Sequence, residues 1–159
     1  FQHEVVLPMI AVRDQADKPC EEGIELITRI VTGRAEPDLF DSEALEKIAL
    51  WSGGVVADAL RLARNACLNA HLADADRVTT EMVDEEAHDL VLSYKRSINE
   101  HMYERLVEVA QDRESPVGDE HREMLQALAI LEYENDPNWY DVHPAVRRLL
   151  ENRGELSGR

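Results

Sequence analysis

The segment that most constrains the fold is residues 48–71, IALWSGGVVADALRLARNACLNAH, in which a glycine pair separates two apolar runs. After Gly53 and Gly54 the apolar residues recur at helical spacing over about residues 55–72, and many of them are alanine. Because small side chains let neighbouring helices approach closely, we expect this helix to be the centre of a bundle. Its predicted inward positions are Val55, Val56, Ala59, Leu60, Ala63, Ala66, Cys67 and Ala70.

Helical periodicity also marks much of the remaining chain. Helices are predicted over about residues 21–32, from Asp41 to the glycine pair, and over a long run that begins near Val78. That run contains Ser97 and Glu100 at the spacing of a capping box, which predicts a bend and a new helix there. Only 5% of the 159 residues are aromatic, as is typical of helical rather than sandwich folds. The sequence therefore predicts a mainly α-helical bundle.

Extended structure is predicted near both ends of the chain. The apolar, β-branched run VVLPMIAV at residues 5–12 contains a proline, which suits an edge strand or an extended connector. Near the C-terminus, ILEYENDPNWYDV at residues 130–142 has two alternating runs around a turn signal, which predicts a β-hairpin. A helix is expected before this hairpin, and another after it with Pro144 in its first turn.

These features divide the chain into four predicted parts. Residues 1–20 are an extended strand and linker, and residues 21–113 are the helical bundle. The loop ESPVGD then marks the clearest internal boundary. Residues 119–153 form a helix–hairpin–helix module, and residues 154–159 are a tail.

The charge of the chain restricts its partners. Thirty-three acidic residues against 17 basic ones give a formal net charge of −16, which disfavours binding to nucleic acid or to anionic membranes. The arginines near the C-terminus are interpreted as a solvated tail: Arg147, Arg148, Arg153 and Arg159.

The lengths of the apolar runs and the small number of cysteines predict a cytoplasmic protein. No apolar run approaches the roughly 20 residues of a membrane span, and no signal peptide is visible. Cys20 and Cys67 are too few and too distant for a disulfide framework, and they are expected to be reduced thiols, with Cys67 buried. The first residue is Phe1, and the opening residues suggest a fragment of a longer polypeptide.

Motifs for phosphate binding and catalysis are missing. None of the seven glycines belongs to a GxxxxGK[ST] or GxGxxG sequence, so the chain has no phosphate-binding loop of its own. Ser52 lies outside any GxSxG elbow, and no catalytic residue is predicted. Glu85 and His88 form one ExxH motif beside Glu81 and Asp89, but di-metal bundles need two such motifs. This group is interpreted as a solvated acidic face, and no metal site is predicted.

The sequence WYDVHP at residues 139–144 places two aromatic residues, an acid and a histidine together. We interpret Trp139, Asp141 and His143 as structural residues. Two roles are open for His143, which either caps the last helix or bonds Asp141 across the end of the hairpin.

Several of these segments together resemble the C-terminal helical lid of AAA+-type P-loop ATPases, the branch that includes origin-recognition and STAND-like proteins. The matching segments, in order, are VVLPMIAV, GIELITRIV, LFDSEALEKIALWSGG, ADALRLARNACLNA and VTTEMVDEEA. They cover about residues 5–92. The later segments LAILEY and WYDVHPAVRRLL look like the winged-helix-like module that closes bacterial ATPases of this sort.

The resemblance implies a nucleotide-proximal role for the glycine turn. In that family an S-G-G turn opens the sensor-2 helix, and an arginine three residues after the second glycine reaches the phosphates of the nucleotide. Ala57 occupies that position here, and Arg61 and Arg64 lie further along the helix. The nucleotide-proximal candidates are therefore Ser52, Gly53, Gly54, Arg61 and Arg64, and backbone N–H groups at the start of this helix are expected to be free.

The expected function is that of a non-catalytic regulatory piece of a larger bacterial ATPase. It would couple nucleotide state to a partner or to a neighbouring subunit, moving about a linker at residues 13–20, and a homo-oligomer is compatible with this role. The chain needs no cofactor of its own, since ATP and Mg²⁺ would be bound by the parent protein. The alternative is a free-standing acidic helical adaptor for protein–protein interaction with no ATPase role.

Overall fold

The computed structural model describes residues 8–114, 118–134 and 137–157. These ranges contain seven α-helices and one antiparallel hairpin. The helices are α1 Glu21–Thr32, α2 Ser42–Ser52, α3 Val56–Leu72, α4 Thr80–Ser97, α5 Tyr103–Asp112, α6 Asp119–Gln126 and α7 Pro144–Asn152. The strands are β1 Ile130–Tyr133 and β2 Trp139–Val142, with Ile130 opposite Val142 and Tyr133 opposite Trp139. The predicted class, mainly α-helical with a hairpin near the C-terminus, is confirmed.

A single apolar core connects the helices and the hairpin. The helices α2, α3 and α4 contact one another, and α7 packs against α4 and α2. The largest cluster of buried side chains includes residues from α1 through α5, from the hairpin and from α7. The predicted parts 21–113 and 119–153 therefore share one core in the structure.

The buried face of α3 differs in detail from the predicted one. Leu62 is 1% exposed, although it lay outside the predicted stripe, whereas Leu60 is half-buried. Cys67 was predicted to be buried but is half-buried, and this partial burial raises the pKa of its thiol. The helix α3 contacts α1, α2 and α4. Because it has neighbours on three sides, its buried face is wider than the single apolar stripe predicted from periodicity.

The predicted N-terminal strand is not present in the described residues. Residues 5–7 lie outside them, and residues 8–12 form no strand. The Met9 N–H donates to the carbonyl oxygen of Glu132 at 2.9 Å, and the Val12 carbonyl accepts from the Cys20 N–H at 2.9 Å. The segment passes over two helix ends and makes only scattered hydrogen bonds, and Pro8 has no N–H to add to a ladder.

The predicted capping box at Ser97 is wrong. Ser97 is the last residue of α4, and its hydroxyl donates to the carbonyl oxygen of Tyr94 at 2.9 Å instead of capping a new helix. The chain bends through a short 3₁₀ turn, Glu100–Met102, before α5 begins. The core side chains Ile98 and Met102 are buried in this bend, so packing decides where the next helix starts.

The interpretation of the C-terminal arginines as a solvated tail is also wrong for two of them. The Arg147 guanidinium lies 2.6 Å from the Asp141 carboxylate and donates to the Ala110 carbonyl oxygen at 3.2 Å. The Arg153 guanidinium lies 3.8 Å from the centre of the Tyr103 ring. These arginines join α7 to α5 and the hairpin. Arg159 lies outside the described residues.

Across the described ranges, no helix combines the length and the apolar character that crossing a bilayer requires.

Candidate functional site

The turn between α2 and α3 is held by the side chain of its own serine. Gly53 and Gly54 have backbone φ angles of 59° and 86°, a region that strains residues with a side chain. The Ser52 hydroxyl donates to the Ala49 carbonyl oxygen at 2.7 Å and accepts from the Gly54 N–H at 3.1 Å. Ser52 is fully buried, so this hydroxyl satisfies polar groups that water does not reach.

Both glycines of the turn lie against other parts of the chain. A Cβ atom on Gly54 would stand 1.8 Å from the carbonyl oxygen of Ile10, and one on Gly53 would stand 2.6 Å from Cδ of Pro144. A similar contact occurs in α1, where a Cβ on Gly23 would stand 1.9 Å from the Ala11 carbonyl oxygen. The turn is therefore packed between the N-terminal segment and the start of α7.

The N–H groups expected to be free at the start of α3 are in part engaged. The Gly54 N–H donates to the Ser52 hydroxyl, and the Val55 N–H donates to the Ser52 carbonyl oxygen at 2.9 Å. Both residues are buried. This part of the helix N-terminus accordingly cannot receive an anion without opening the turn.

A buried polar cluster lies directly beneath the turn. His143 is 0% exposed, and its Nδ1 accepts from the Ala145 N–H at 3.1 Å, which makes it the cap of α7. An Nδ1 that accepts leaves the proton of a neutral ring on Nε2. The Nε2 atom lies 3.1 Å from the Ser52 carbonyl oxygen and 3.2 Å from Oδ2 of Asp58. One imidazole thus joins α7, the turn and α3.

Tyr94 completes this cluster from α4. Its hydroxyl donates to Oδ2 of Asp58 at 2.8 Å, and its ring stacks on His143 with the ring centres 4.3 Å apart. Both nitrogens of His143 are engaged and its ring is closed from solvent, so this histidine can hold elements together but cannot reach a substrate. We define Ser52, Asp58, Tyr94 and His143 as the buried cluster.

The surroundings shift the acidities of two members of the buried cluster. Burial by itself would raise the pKa of Asp58, but the hydrogen bonds from His143 and Tyr94 outweigh burial and leave the pKa below the ordinary value of 3.8. Burial and the neighbouring Asp58 carboxylate raise the pKa of Tyr94 far above its ordinary value. The cluster thus favours an ionised Asp58 beside a neutral tyrosine.

This shift predicts how acid acts on the fold. Because the folded pKa of Asp58 is depressed, its contribution to stability is complete above pH 3.8 and is lost as pH falls through the folded pKa. We expect Asp58→Asn to lower the free energy of unfolding by about 1–2 kcal/mol at pH 7. The gap between the two proteins should then shrink below pH 3.8, as measured by urea denaturation at successive pH values. A gap that stays constant down to the acid limit of the fold would contradict this assignment.

The hairpin reaches the turn from the opposite side. The Tyr133 hydroxyl donates to the Gly53 carbonyl oxygen at 2.8 Å, and its ring stacks on Trp139 with the centres 4.4 Å apart. The Arg113 guanidinium lies 5.5 Å above the Trp139 ring. Trp139 therefore packs between Arg113 and the tyrosine that holds the turn.

Asp141 has a separate set of partners. It lies 2.6 Å from Arg147 and 3.5 Å from Arg113. Of the two roles open for His143, the structure shows the cap of α7. The Arg113 guanidinium also donates to the carbonyl oxygens of Asp14 and Gln15. These contacts fasten residues 13–20, the expected linker, to the hairpin.

The structure does not bring all the nucleotide-proximal candidates together. Arg61 is directed toward α4, where its guanidinium donates to the Ser93 hydroxyl at 3.2 Å. Arg64 instead lines a groove between the end of α1 and α3. Ser52, Gly53 and Gly54 are buried in the turn, so the two arginines and the turn do not form one surface.

Three residues of this region were missed by reading the sequence: Asp58, Tyr94 and Tyr133. Asp58 lies in the first turn of α3, where an acid is also common simply because it complements the helix dipole. Tyr94 was read only as an apolar core position, and Tyr133 only as one residue of a strand. The polar pairing of a buried tyrosine with a distant acid leaves no local pattern in the sequence.

Within the ranges that the structure describes, no group of three or more His, Cys, Asp or Glu side chains is arranged to hold a metal ion. No protein-family model, no curated protein and no solved structure matches this chain.

Proposed function

We propose that this chain is a non-catalytic regulatory module of a larger bacterial AAA+-type ATPase, a helical lid followed by a winged-helix-like end. In this role it couples the nucleotide state of the parent protein to a protein partner or to a neighbouring subunit. The observation that carries the proposal is the junction at Ser52–Gly54. There the N-terminal segment, the central helix, the hairpin and the last helix meet in one packed turn, at the position that resembles the sensor-2 turn.

The contacts at this junction are suited to transmitting a displacement. The carbonyl oxygen of Ile10 packs directly on Gly54, and the Pro144 ring and the Tyr133 hydroxyl pack on Gly53. Since close-packed groups resist compression, a shift of residues 8–12 moves the turn and the hairpin together. The parent protein supplies the phosphate-binding loop, ATP and Mg²⁺, and phosphate contacts come chiefly from outside this chain.

The first test is direct binding of nucleotide. We expect the chain alone to show no ATP hydrolysis and to bind ATP no tighter than about 1 mM, which corresponds to roughly −4 kcal/mol. Isothermal titration calorimetry with Mg–ATP measures the affinity, and a phosphate-release assay measures turnover. Micromolar binding or measurable turnover would overturn the proposal.

The alternative is a free-standing acidic helical adaptor. The exposed leucines Leu68 and Leu72 on α3, 54% and 74% accessible, favour an interaction role under either proposal. The sequence encoded upstream of Phe1 distinguishes the ATPase module from the adaptor. A GxxxxGK[ST] motif encoded in the same reading frame upstream of Phe1 supports the ATPase module, whereas a start codon directly before Phe1 supports the adaptor.

A further inference from the structure

An apolar groove with a volume of about 710 Å³ runs between the end of α1, the loop after it, and α3. Its floor and walls are apolar, with Leu39, Leu60 and Cys67 among them. Leu39 is 42% exposed, so part of this apolar lining is open to solvent. We call this surface the α1–α3 groove. An accessible apolar surface of this kind on a small domain marks an interaction site.

Two arginines that line the α1–α3 groove form no ion pair with an acidic residue in the part of the chain that the structure describes. Arg34 and Arg64 line it, and no carboxylate does. Among residues 8–114, 118–134 and 137–157, neither guanidinium forms an ion pair. The lining of the groove therefore holds two positive charges and no negative one, although the chain as a whole carries a net charge of −16.

A second groove of the structure also contains cationic side chains, but these form ion pairs within the chain. It has a volume of about 340 Å³ between α2 and α7, and its lining also includes cationic side chains. There, however, Lys47 lies 2.6 Å from Asp84, and Arg148 lies 3.3 Å from Glu151. Its cations are neutralised within the chain, whereas those of the α1–α3 groove are available to an external acid.

We propose that the α1–α3 groove binds an acidic amphipathic helix of a partner protein. All walls of the groove are helices or loops, so an extended peptide would find no strand edge with which to pair its backbone. A helix satisfies its own backbone hydrogen bonds and needs only an apolar face. From Leu60 to Cys67 the groove side of α3 is about 10 Å long, which two turns of a bound helix cover.

The positive charges of Arg34 and Arg64 favour an acidic partner. Carboxylates flanking the apolar face of the bound helix would pair with Arg34 on one side and Arg64 on the other. A second copy of this chain is disfavoured because two chains that each carry a net charge of −16 repel each other more strongly than one such chain repels a short acidic helix. The proposal rests on the interaction role given above and names the chemistry of the partner, but it does not depend on nucleotide binding.

The test uses two designed peptides and the full chain. The first is a 14-residue, end-capped, fluorescein-labelled helix with leucines on one face and glutamates flanking them, and the second replaces those glutamates by lysines. Fluorescence anisotropy should show the acidic peptide binding at least about tenfold tighter, a difference of about 1.4 kcal/mol. Arg34→Glu with Arg64→Glu should abolish or reverse this preference.

A matched variant separates the groove from general electrostatics. Lys95→Glu with Arg96→Glu makes the same change of charge at exposed positions of α4 and should keep at least half of the preference for the acidic peptide. Equal loss in both double variants, or no binding of the acidic peptide, would overturn the proposal. Circular dichroism confirms that each variant is folded.

Two further measurements locate the bound peptide. In a Cys20→Ser background Cys67 is the remaining thiol, and the acidic peptide should slow its labelling by a maleimide several-fold. Light scattering without peptide should give a monomer. A dimer that Leu39→Glu dissociates would show that a second copy occupies the groove, and this too would overturn the proposal. None of these results alters the outcome of the ATP titration, so the two proposals fail separately.

Discussion

Replacing Gly54 by alanine is expected to lower the free energy of unfolding by at least about 3 kcal/mol. Two physical effects add at this position. The backbone φ angle of +86° strains a residue with a side chain, and the new Cβ would stand 1.8 Å from the carbonyl oxygen of Ile10. That neighbour is backbone and cannot rotate away, so either the turn or residues 8–12 must move. Urea denaturation followed by circular dichroism measures the loss.

Gly154→Ala is the matched control for this prediction. Gly154 also has a positive φ, +74°, but nothing lies within 4 Å of the position that its Cβ would occupy. Its substitution carries only the backbone strain, about 1 kcal/mol. The difference between the two variants therefore measures the collision at the junction. Equal losses would show that the N-terminal segment does not press on the turn.

Removal of the His143 side chain is expected to cost about 3 kcal/mol at pH 7. Alanine removes the cap of α7, the contacts to the Ser52 carbonyl and to Asp58, and the stacking on Tyr94. It also leaves a cavity, because the ring is completely buried. Chemical denaturation gives the free energy, and hydrogen exchange should show lost protection both in α7 and in the first turn of α3.

His88→Ala provides the control for this variant, since His88 is exposed on α4 and its replacement should change stability by no more than about 0.5 kcal/mol. A double-mutant cycle between His143→Ala and Asp58→Asn tests the pairing itself. Because the two side chains share a hydrogen bond, we expect a coupling energy of about 1 kcal/mol or more. Strict additivity would mean that they act independently.

Much of the secondary structure follows from local patterns. The spacing of apolar residues in α3 and α7 predicts both helices to within about a residue, and the alternation around residues 135–138 predicts the hairpin. These elements form where they do because each has one face rich in apolar side chains, and such a face has the period of its own backbone.

The errors in prediction occur where neighbouring elements compete. The predicted strand at residues 5–12 has the composition of a strand, but in the described part its backbone packs on Gly23 and Gly54. Leu62 was assigned outside the buried stripe because a helix with neighbours on three sides has a wider buried face than periodicity alone defines. Arg147 looked like part of a tail because its partner, Asp141, belongs to the preceding strand.

The sequence by itself determined the class of the fold, the positions of most helices and the presence of a turn at Ser52–Gly54, since glycine pairs and apolar periods are local signals. Only the tertiary structure decided which distant residues contact this turn. Asp58, Tyr94 and His143 lie on three different helices or their caps, and burial forces their polar groups to pair with one another. It also decided that Arg61 bonds to α4 whereas Arg64 lines the groove against α1, although the two residues lie one turn apart on α3. Local sequence sets the conformation of a segment, whereas packing sets which distant group satisfies each buried charge and hydrogen bond.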